Sequence, residues 1–434
     1  MLEPSRRTQA GRRRFAAGAG ALLAASAVAG CATMWRPALE PQAHVPVFDA
    51  ATVASGERLA ALGNCAACHT ADPARPYAGG VGVATPFGTV YSTNITPAAD
   101  TGIGRYSEAA FTRALREGVA RDGHLLYPAF PYDHYTRLTQ DDIRALYAYF
   151  MTRPPLDAPA HPNDLRFPFN FRPLVGVWNT LYLKREPWMP DPRRSAAWNR
   201  GAYVADALAH CSACHSPRTR LGGEDRMRFL DGGEAEDWYA PSLNANSPSP
   251  LPWTHEQLVA YLRTGIAPEH AVAGGPMQGV VENLGRADPA DVDALATWLH
   301  SYLQQAPARA TNAARPGALP APAAADPDQL KQGYDVYAGA CARCHEAGRA
   351  ATSGTALPLQ QAVALYDPDP RSLLHIVRDG IAPPGGAPAR WMPAFAGILD
   401  DGQAAALAAY LRRYGAARPA WPDLEDSVRK ARQP

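Results

Sequence analysis

Cys65-Ala66-Ala67-Cys68-His69, Cys211-Ser212-Ala213-Cys214-His215 and Cys341-Ala342-Arg343-Cys344-His345 repeat one pattern, Cys-x-x-Cys-His, and take up six of the seven cysteines in 434 residues. Two thiols three positions apart can add to the two vinyl groups of one haem, and the histidine that follows then lies under the iron as an axial ligand. A zinc site needs four ligands, and no second Cys or His pair follows any copy at a finger-like distance. A redox dithiol has no use for the histidine. The pattern therefore predicts three covalently bound haem c groups, on Cys65 and Cys68, Cys211 and Cys214, and Cys341 and Cys344, with His69, His215 and His345 on the iron.

A low-spin electron-transfer haem needs a second axial ligand, and methionine there raises the reduction potential. A predicted helix follows each motif and stops at a glycine before a hydrophobic-Ala pair: Phe111 to Gly118, Gln257 to Gly265 and Ser372 to Gly380. Met277 lies twelve residues after Gly265 and Met392 twelve after Gly380, each beside a proline that restrains the backbone presenting the sulfur. Both are expected as iron ligands. The same count from Gly118 reaches Phe130, which cannot bind iron, and Met151 sits at the end of a later helix where packing is expected. His124 and His134 flank the gap. Three arrangements stay open for haem one: ligation by His134, which the turn Pro131-Tyr132-Asp133 can carry back to the iron, ligation by His124, or an open iron shielded by Phe130.

These residues sit in a threefold repeat. A short helix precedes each motif, read as Gly56 to Leu62, Gly201 to Ala209 and Gly333 to Ala338. A closing helix sets a leucine and an aromatic three positions apart, in Leu146-Tyr147-Ala148-Tyr149, Leu295-Ala296-Thr297-Trp298 and Leu407-Ala408-Ala409-Tyr410, after acidic starts at Asp141, Asp291 and Asp401. The units resemble class I cytochromes c, and that resemblance implies that the first and last helices of each cross, with these aromatics at the crossing. The expected fold is mainly α, three tandem cytochrome c-like domains with long loops. Domain one covers 48–153, a connector 154–194, domain two 195–304, an exposed Ala/Pro linker 305–325, domain three 326–415 and a polar tail 416–434.

Residues 1–30 read as a signal peptide: Arg6, Arg7, Arg12, Arg13 and Arg14, then the apolar run Phe15 to Ala29. Val28-Ala29-Gly30-Cys31 looks like a lipobox, which implies lipid on Cys31 and accounts for the odd cysteine. Arg12-Arg13-Arg14-Phe15 resembles a twin-arginine signal, but covalent haem is generally fitted after export of an unfolded chain, so a plain basic region is expected. Without residues 1–30 the formal charge of +1 becomes −3, which argues against a nucleic-acid partner. In the connector, Phe169 to Leu183 is apolar but too short to cross a bilayer; a helix buried between domains one and two is expected, with contact to a membrane or a partner as the alternative.

The chain resembles the three-haem cytochrome c subunits of bacterial membrane-associated dehydrogenases. The resemblance rests on the three motifs and on Ala84-Thr85-Pro86-Phe87-Gly88-Thr89-Val90-Tyr91-Ser92-Thr93-Asn94-Ile95-Thr96-Pro97, Gly102-Ile103-Gly104-Arg105, Trp198-Asn199-Arg200-Gly201-Ala202-Tyr203 and Gly275-Pro276-Met277. It implies an electron-transfer subunit on the periplasmic side of the membrane. Such a subunit takes electrons from a catalytic dehydrogenase subunit and delivers them to quinone or another respiratory acceptor. Where the alcohol-dehydrogenase branch has Tyr-Pro-Ala-Met-Pro-Tyr, this chain has Tyr127-Pro128-Ala129-Phe130-Pro131-Tyr132, a departure at the ligand of haem one. Ala240 to Pro248 and Arg418 to Leu424 look more like the branch paired with molybdenum hydroxylases. No Gly-x-Gly-x-x-Gly nucleotide loop follows a strand, and no cysteines remain for an iron–sulfur cluster, so substrate oxidation is assigned to the partner. The competing expectation is a peroxidase-like haem enzyme or a small-ligand sensor using an open haem one.

Overall fold

Glycine marks the place where each unit is built. In the computed structural model, which describes residues 36–307, 317–346, 356–382 and 392–432, the helices that flank each haem motif cross at Gly56, Gly201 and Gly333. A Cβ at these positions would lie 1.9 Å from the Ala145 carbonyl oxygen, 1.9 Å from that of Ala294 and 2.1 Å from that of Ala406. Only a residue without a side chain lets the two backbones approach so closely. The same three glycines also face the Cβ atoms of Tyr149, Trp298 and Tyr410, the aromatics of the closing helices.

The crossing pairs are α1 (Ala50–Leu62) with α3 (Gln140–Met151), α5 (Ala196–Tyr203) with α8 (Pro289–Leu303), and α9 (Asp328–Val336) with α11 (Asp401–Tyr410). Between them run α2 (Glu108–Glu117), α6 (His255–Thr264) followed by α7 (Pro276–Arg286), and α10 (Arg371–Asp379), while α4 (Leu174–Tyr182) lies in the connector and α12 (Leu424–Ala431) ends the described chain. The first helices begin five or six residues before the glycines read as their starts. Asp49 and Ser195 cap α1 and α5, and their side chains accept from the amides of Thr52 and Trp198. Capping boxes open α6, at Thr254 and Gln257, and α11, at Asp400 and Gln403.

The helix stops fall where expected. Gly118 and Gly265 take the left-handed conformation, at φ 63° and 72°, and return their N–H groups to Ala114 and Tyr261. Short strands complete the units. β1 (Gly82–Thr85), β2 (Gly88–Tyr91) and β3 (Asp164–Leu165) form an antiparallel sheet, and β4 (Gly233–Ala235) pairs with β5 (Trp238–Ala240). Past Gly265, β6 (Ile266–Ala267) pairs with β7 (Ala271–Val272).

Units one and two share one apolar core, running from Leu59 and Leu146 to Leu208 and Leu295, whereas unit three has its own around Tyr337, Tyr410 and Trp421. Two segments differ from their sequence reading. The polar tail contains α12, whose Leu424, Val428 and Ala431 are buried in the core of unit three, because its apolar residues recur at helical spacing. Within the Ala/Pro linker, Leu319 is buried in the same core and the Pro320 carbonyl accepts from the Tyr410 hydroxyl. The remainder of the described stretch 317–325 is mostly exposed.

Candidate haem sites

Each Cys-x-x-Cys-His forms a helical turn: Cys65–His69, Ser212–His215 with Cys211 at its N-cap, and Ala342–His345 with Cys341 at its N-cap. A spacing of three on a helix puts both thiols on one face. None of the six cysteines pairs in a disulfide, which leaves each sulfur available to a vinyl group. Burial pushes Cys65 and Cys211 up to about 12 and Cys214 and Cys341 up to about 11, the signature of apolar walls around these sulfurs.

The histidines are oriented in one way three times. His69 Nδ1 lies 2.7 Å from the Thr93 carbonyl oxygen, His215 Nδ1 2.7 Å from that of Pro241, and His345 Nδ1 2.9 Å from that of Leu357. A ring that donates through Nδ1 keeps the Nε2 lone pair for a metal, so these carbonyls fix both tautomer and ring plane. Burial holds all three rings below the usual histidine range, against the opposing effect of the carbonyl hydrogen bonds, and so favours the neutral, ligating form. The donor set thus fits haem c: paired thiols on one face and a neutral imidazole with a free nitrogen. The motifs identified the histidines but not their carbonyl partners; prolines at 241 and 358 were the available signal in units two and three.

The equal offset of twelve conceals unequal geometry. In units one and two the chain folds back seven residues after the stop glycine, where Leu125 bridges to Val119 and Val272 pairs with Ile266. Phe130 and Met277 therefore hold equivalent places, five residues further on. In unit three Met392 itself closes the bridge, exchanging backbone hydrogen bonds with Ile381 at 2.9 and 3.1 Å. Met277 is half-buried at the start of α7 and packs against the shared core. It follows Gly275, φ 53°, where a Cβ would fall 2.2 Å from Cε2 of Trp238.

His134, one of the candidates for the iron of haem one, is committed elsewhere. Its Nδ1 lies 2.6 Å from the Asp206 backbone oxygen and its Nε2 2.6 Å from Glu224 Oε1, so neither nitrogen offers a lone pair to a metal. Burial alone would depress its pKa, but hydrogen bonds to Asp206 and Glu224 outweigh it and push it up to about 10. Glu224 also accepts from Ser212, inside the second motif, at 3.0 Å. His134 is therefore a buried cation that bolts unit one to the second haem segment. His124 is exposed and pairs with Asp122 at 2.6 Å, and Met151 is buried in the shared core, the packing role expected of it. Phe130 packs against that core with its ring 5.5 Å from that of Tyr135. Cys31 lies outside the described residues.

The units bring their motifs together. Beyond the effect of burial, Glu236 and Cys68 both raise the pKa of Cys214, so the first and second attachment points lie within electrostatic reach of each other. Unit three docks on unit two through α10. His375 stacks on Trp238, with centroids 5.0 Å apart and planes at 22°, and Arg371 bridges to Glu234 at 3.0 Å. The Ser372 hydroxyl donates to the Tyr239 carbonyl at 2.8 Å. Trp238 thus touches the glycine before Met277 on one side and unit three on the other, a link that no motif announces.

Three haem-binding folds in tandem define a multihaem cytochrome c. The cytochrome c family model matches residues 53–154 and 199–302, and that of cytochrome c oxidase, cbb3-type, subunit III matches 328–411. The chain is 43% identical to a nicotinate dehydrogenase subunit of Pseudomonas putida over 96% of its own length and 35% of that protein. It is 38% identical to the fructose dehydrogenase cytochrome subunit of Gluconobacter japonicus over 68% of its own length and 64% of that protein. It is 37% identical to the gluconate 2-dehydrogenase cytochrome c subunit of Pantoea cypripedii, over 83% of its own length and 85% of that protein. The chain belongs to the multihaem cytochrome c subunits of dehydrogenases, which carry covalent haem c. It spans about a third of the nicotinate dehydrogenase protein and about two thirds of the fructose dehydrogenase one.

Proposed function

We infer that this chain carries three haems and relays electrons, one at a time, from a catalytic dehydrogenase subunit to quinone or another respiratory acceptor. It would work on the periplasmic side of the membrane, anchored by lipid on Cys31. The observation that carries the reading is the threefold repetition of thiol pair and carbonyl-anchored histidine, in units that abut in series. Bound haem supplies an iron that cycles between two oxidation states; the protein's part is to hold the rings, exclude water and keep the carriers close. The sequence resemblance implies a partner of the molybdenum hydroxylase type rather than a quinoprotein alcohol dehydrogenase, and the 43% identity to a nicotinate dehydrogenase subunit favours a dehydrogenase of that kind. Purification of the native complex tests this, and a complex without any oxidoreductase subunit would refute it.

Haem content gives the direct check. The alkaline pyridine spectrum should report three haems per chain, and two after Cys211→Ala with Cys214→Ala. In this reading Met277 and Met392 ligate haems two and three. Met277→His should then lower the potential of haem two, and Met392→His that of haem three, while the other haems stay put. Unchanged potentials in a spectroelectrochemical titration would remove these methionines from the iron.

A second reading concerns haem one, because Phe130 takes the place of Met277 and His134 is already bonded. That iron would be open behind Phe130, as a peroxidase-like or ligand-sensing site requires. Carbon monoxide should bind one reduced haem in three; an unaltered spectrum would restore pure electron transfer.

A further inference from the structure

Helix α4 is apolar on both sides. Val175 is buried with Val119 and Leu125 of unit one, the Tyr132 hydroxyl donates to Asn179 at 2.6 Å, and Arg172 donates to the Leu125 carbonyl at 2.7 Å. Its outer face carries Leu174, Val177 and Leu181, at the spacing of one helical stripe, with Phe167 and Phe171 just before it. Among the described residues, six of the twelve exposed large hydrophobics fall between 167 and 181, so the exposure is concentrated rather than scattered. The expectation of a helix buried between two domains therefore holds for one face only.

The surroundings indicate what covers the other. Arg166, Lys184, Arg185, Arg220 and Arg226 are exposed around this stripe, and Leu221, half exposed, extends it beneath Trp178, whose indole donates to the Leu221 carbonyl at 3.2 Å. The acids close by number four against these five cations: Glu117, which pairs with Arg185 at 3.4 Å, the exposed Asp164 and Glu186, and the half-buried Asp225 beside Arg226. An apolar helix face inside a basic rim, on a chain whose overall charge is near neutral, matches the layered chemistry of an anionic lipid surface. The path of the N-terminus agrees. Leu39 donates to the Arg121 carbonyl at 2.8 Å, and Arg113 to that of Pro37 at 2.7 Å. The described chain thus starts on the 119–125 hairpin that supports α4.

We propose that the outer face of α4, with Phe167 and Phe171, lies in the headgroup region of an anionic bilayer and orients the three units on the membrane. No helix among the described residues is long and apolar enough to cross a bilayer, which fits a helix lying along the surface. The proposal goes beyond electron transfer and needs no lipid on Cys31. It is tested on the full-length, haem-loaded chain carrying a nitroxide at Val177→Cys, with Asp328→Cys, fully exposed on unit three, as the aqueous control. On vesicles of phosphatidylcholine with about one quarter phosphatidylglycerol, the label at 177 should gain collisions with oxygen and lose them with a water-soluble nickel chelate. The label at 328 should show neither change. An unaltered haem spectrum establishes that the labelled protein is folded. A label at 177 that stays open to nickel on vesicles overturns the proposal. So does one shielded only when the dehydrogenase subunit is added, because the face would then be a protein interface.

Discussion

Replacement of Gly201 by alanine is expected to destabilise units one and two by about 3 kcal/mol or more, the upper range for overpacking, because the obstacle is backbone rather than a pliant side chain. The new methyl would meet the Ala294 carbonyl oxygen at 1.9 Å and the Trp298 Cβ at 2.9 Å, so α5 and α8 must separate along their whole crossing. Gly56→Ala should do the same through Ala145 and Tyr149. Gly333→Ala should act on unit three alone, since that unit has a separate core. Calorimetry of the haem-loaded variants distinguishes these outcomes. Gly279→Ala, on α7 with nothing within 4 Å of the added methyl, is the control and should be neutral or stabilising by up to about 1 kcal/mol. Equal melting of Gly201→Ala and the parent protein would refute the crossing argument.

His134→Ala is the second large effect, at about 3–5 kcal/mol, the cost of breaking a buried ion pair by removing one partner. It strands Glu224 and leaves the Asp206 carbonyl without its donor, while Arg137 still pairs with the Asp206 carboxylate. The pH dependence has a definite sign. The folded pKa of His134 is raised to about 10, above the ordinary histidine value, so its stabilisation is complete below about pH 6.5 and is lost as pH rises towards 10. Denaturation midpoints of the parent protein should therefore fall between pH 6.5 and 10, and the variant should lose that slope. A parallel slope in both proteins would assign the effect to other groups. The spectrum of haem one should be unchanged in His134→Ala, because neither nitrogen is free for iron.

The pattern of Cys-x-x-Cys-His was enough to read a cytochrome c with covalent haem and a mainly helical repeat, and it set the expectation of a histidine on each iron. Covalent chemistry and helix periodicity act over a few residues, and three copies reinforce one another. The stop glycines at 118 and 265 were legible for the same reason, since a left-handed cap is a local need. The crossing glycines were visible but misplaced, because the partner of Gly201 is Ala294, 93 positions away.

His134 shows the limit most clearly. As a residue it is equally suited to iron and to carboxylates, and which it meets depends on Asp206 and Glu224 arriving from the next unit. The matched twelve-residue offsets likewise concealed two different hairpins. The order of contact through Trp238 and His375, and the open outer face of α4, are also products of how the units pack. By itself, then, the amino-acid sequence determined the covalent attachment of haem c, because the thiol pair and the histidine of each motif lie within five consecutive residues. Tertiary structure decided the second partners of those groups and the surfaces left bare, because both depend on contacts between residues far apart in the chain.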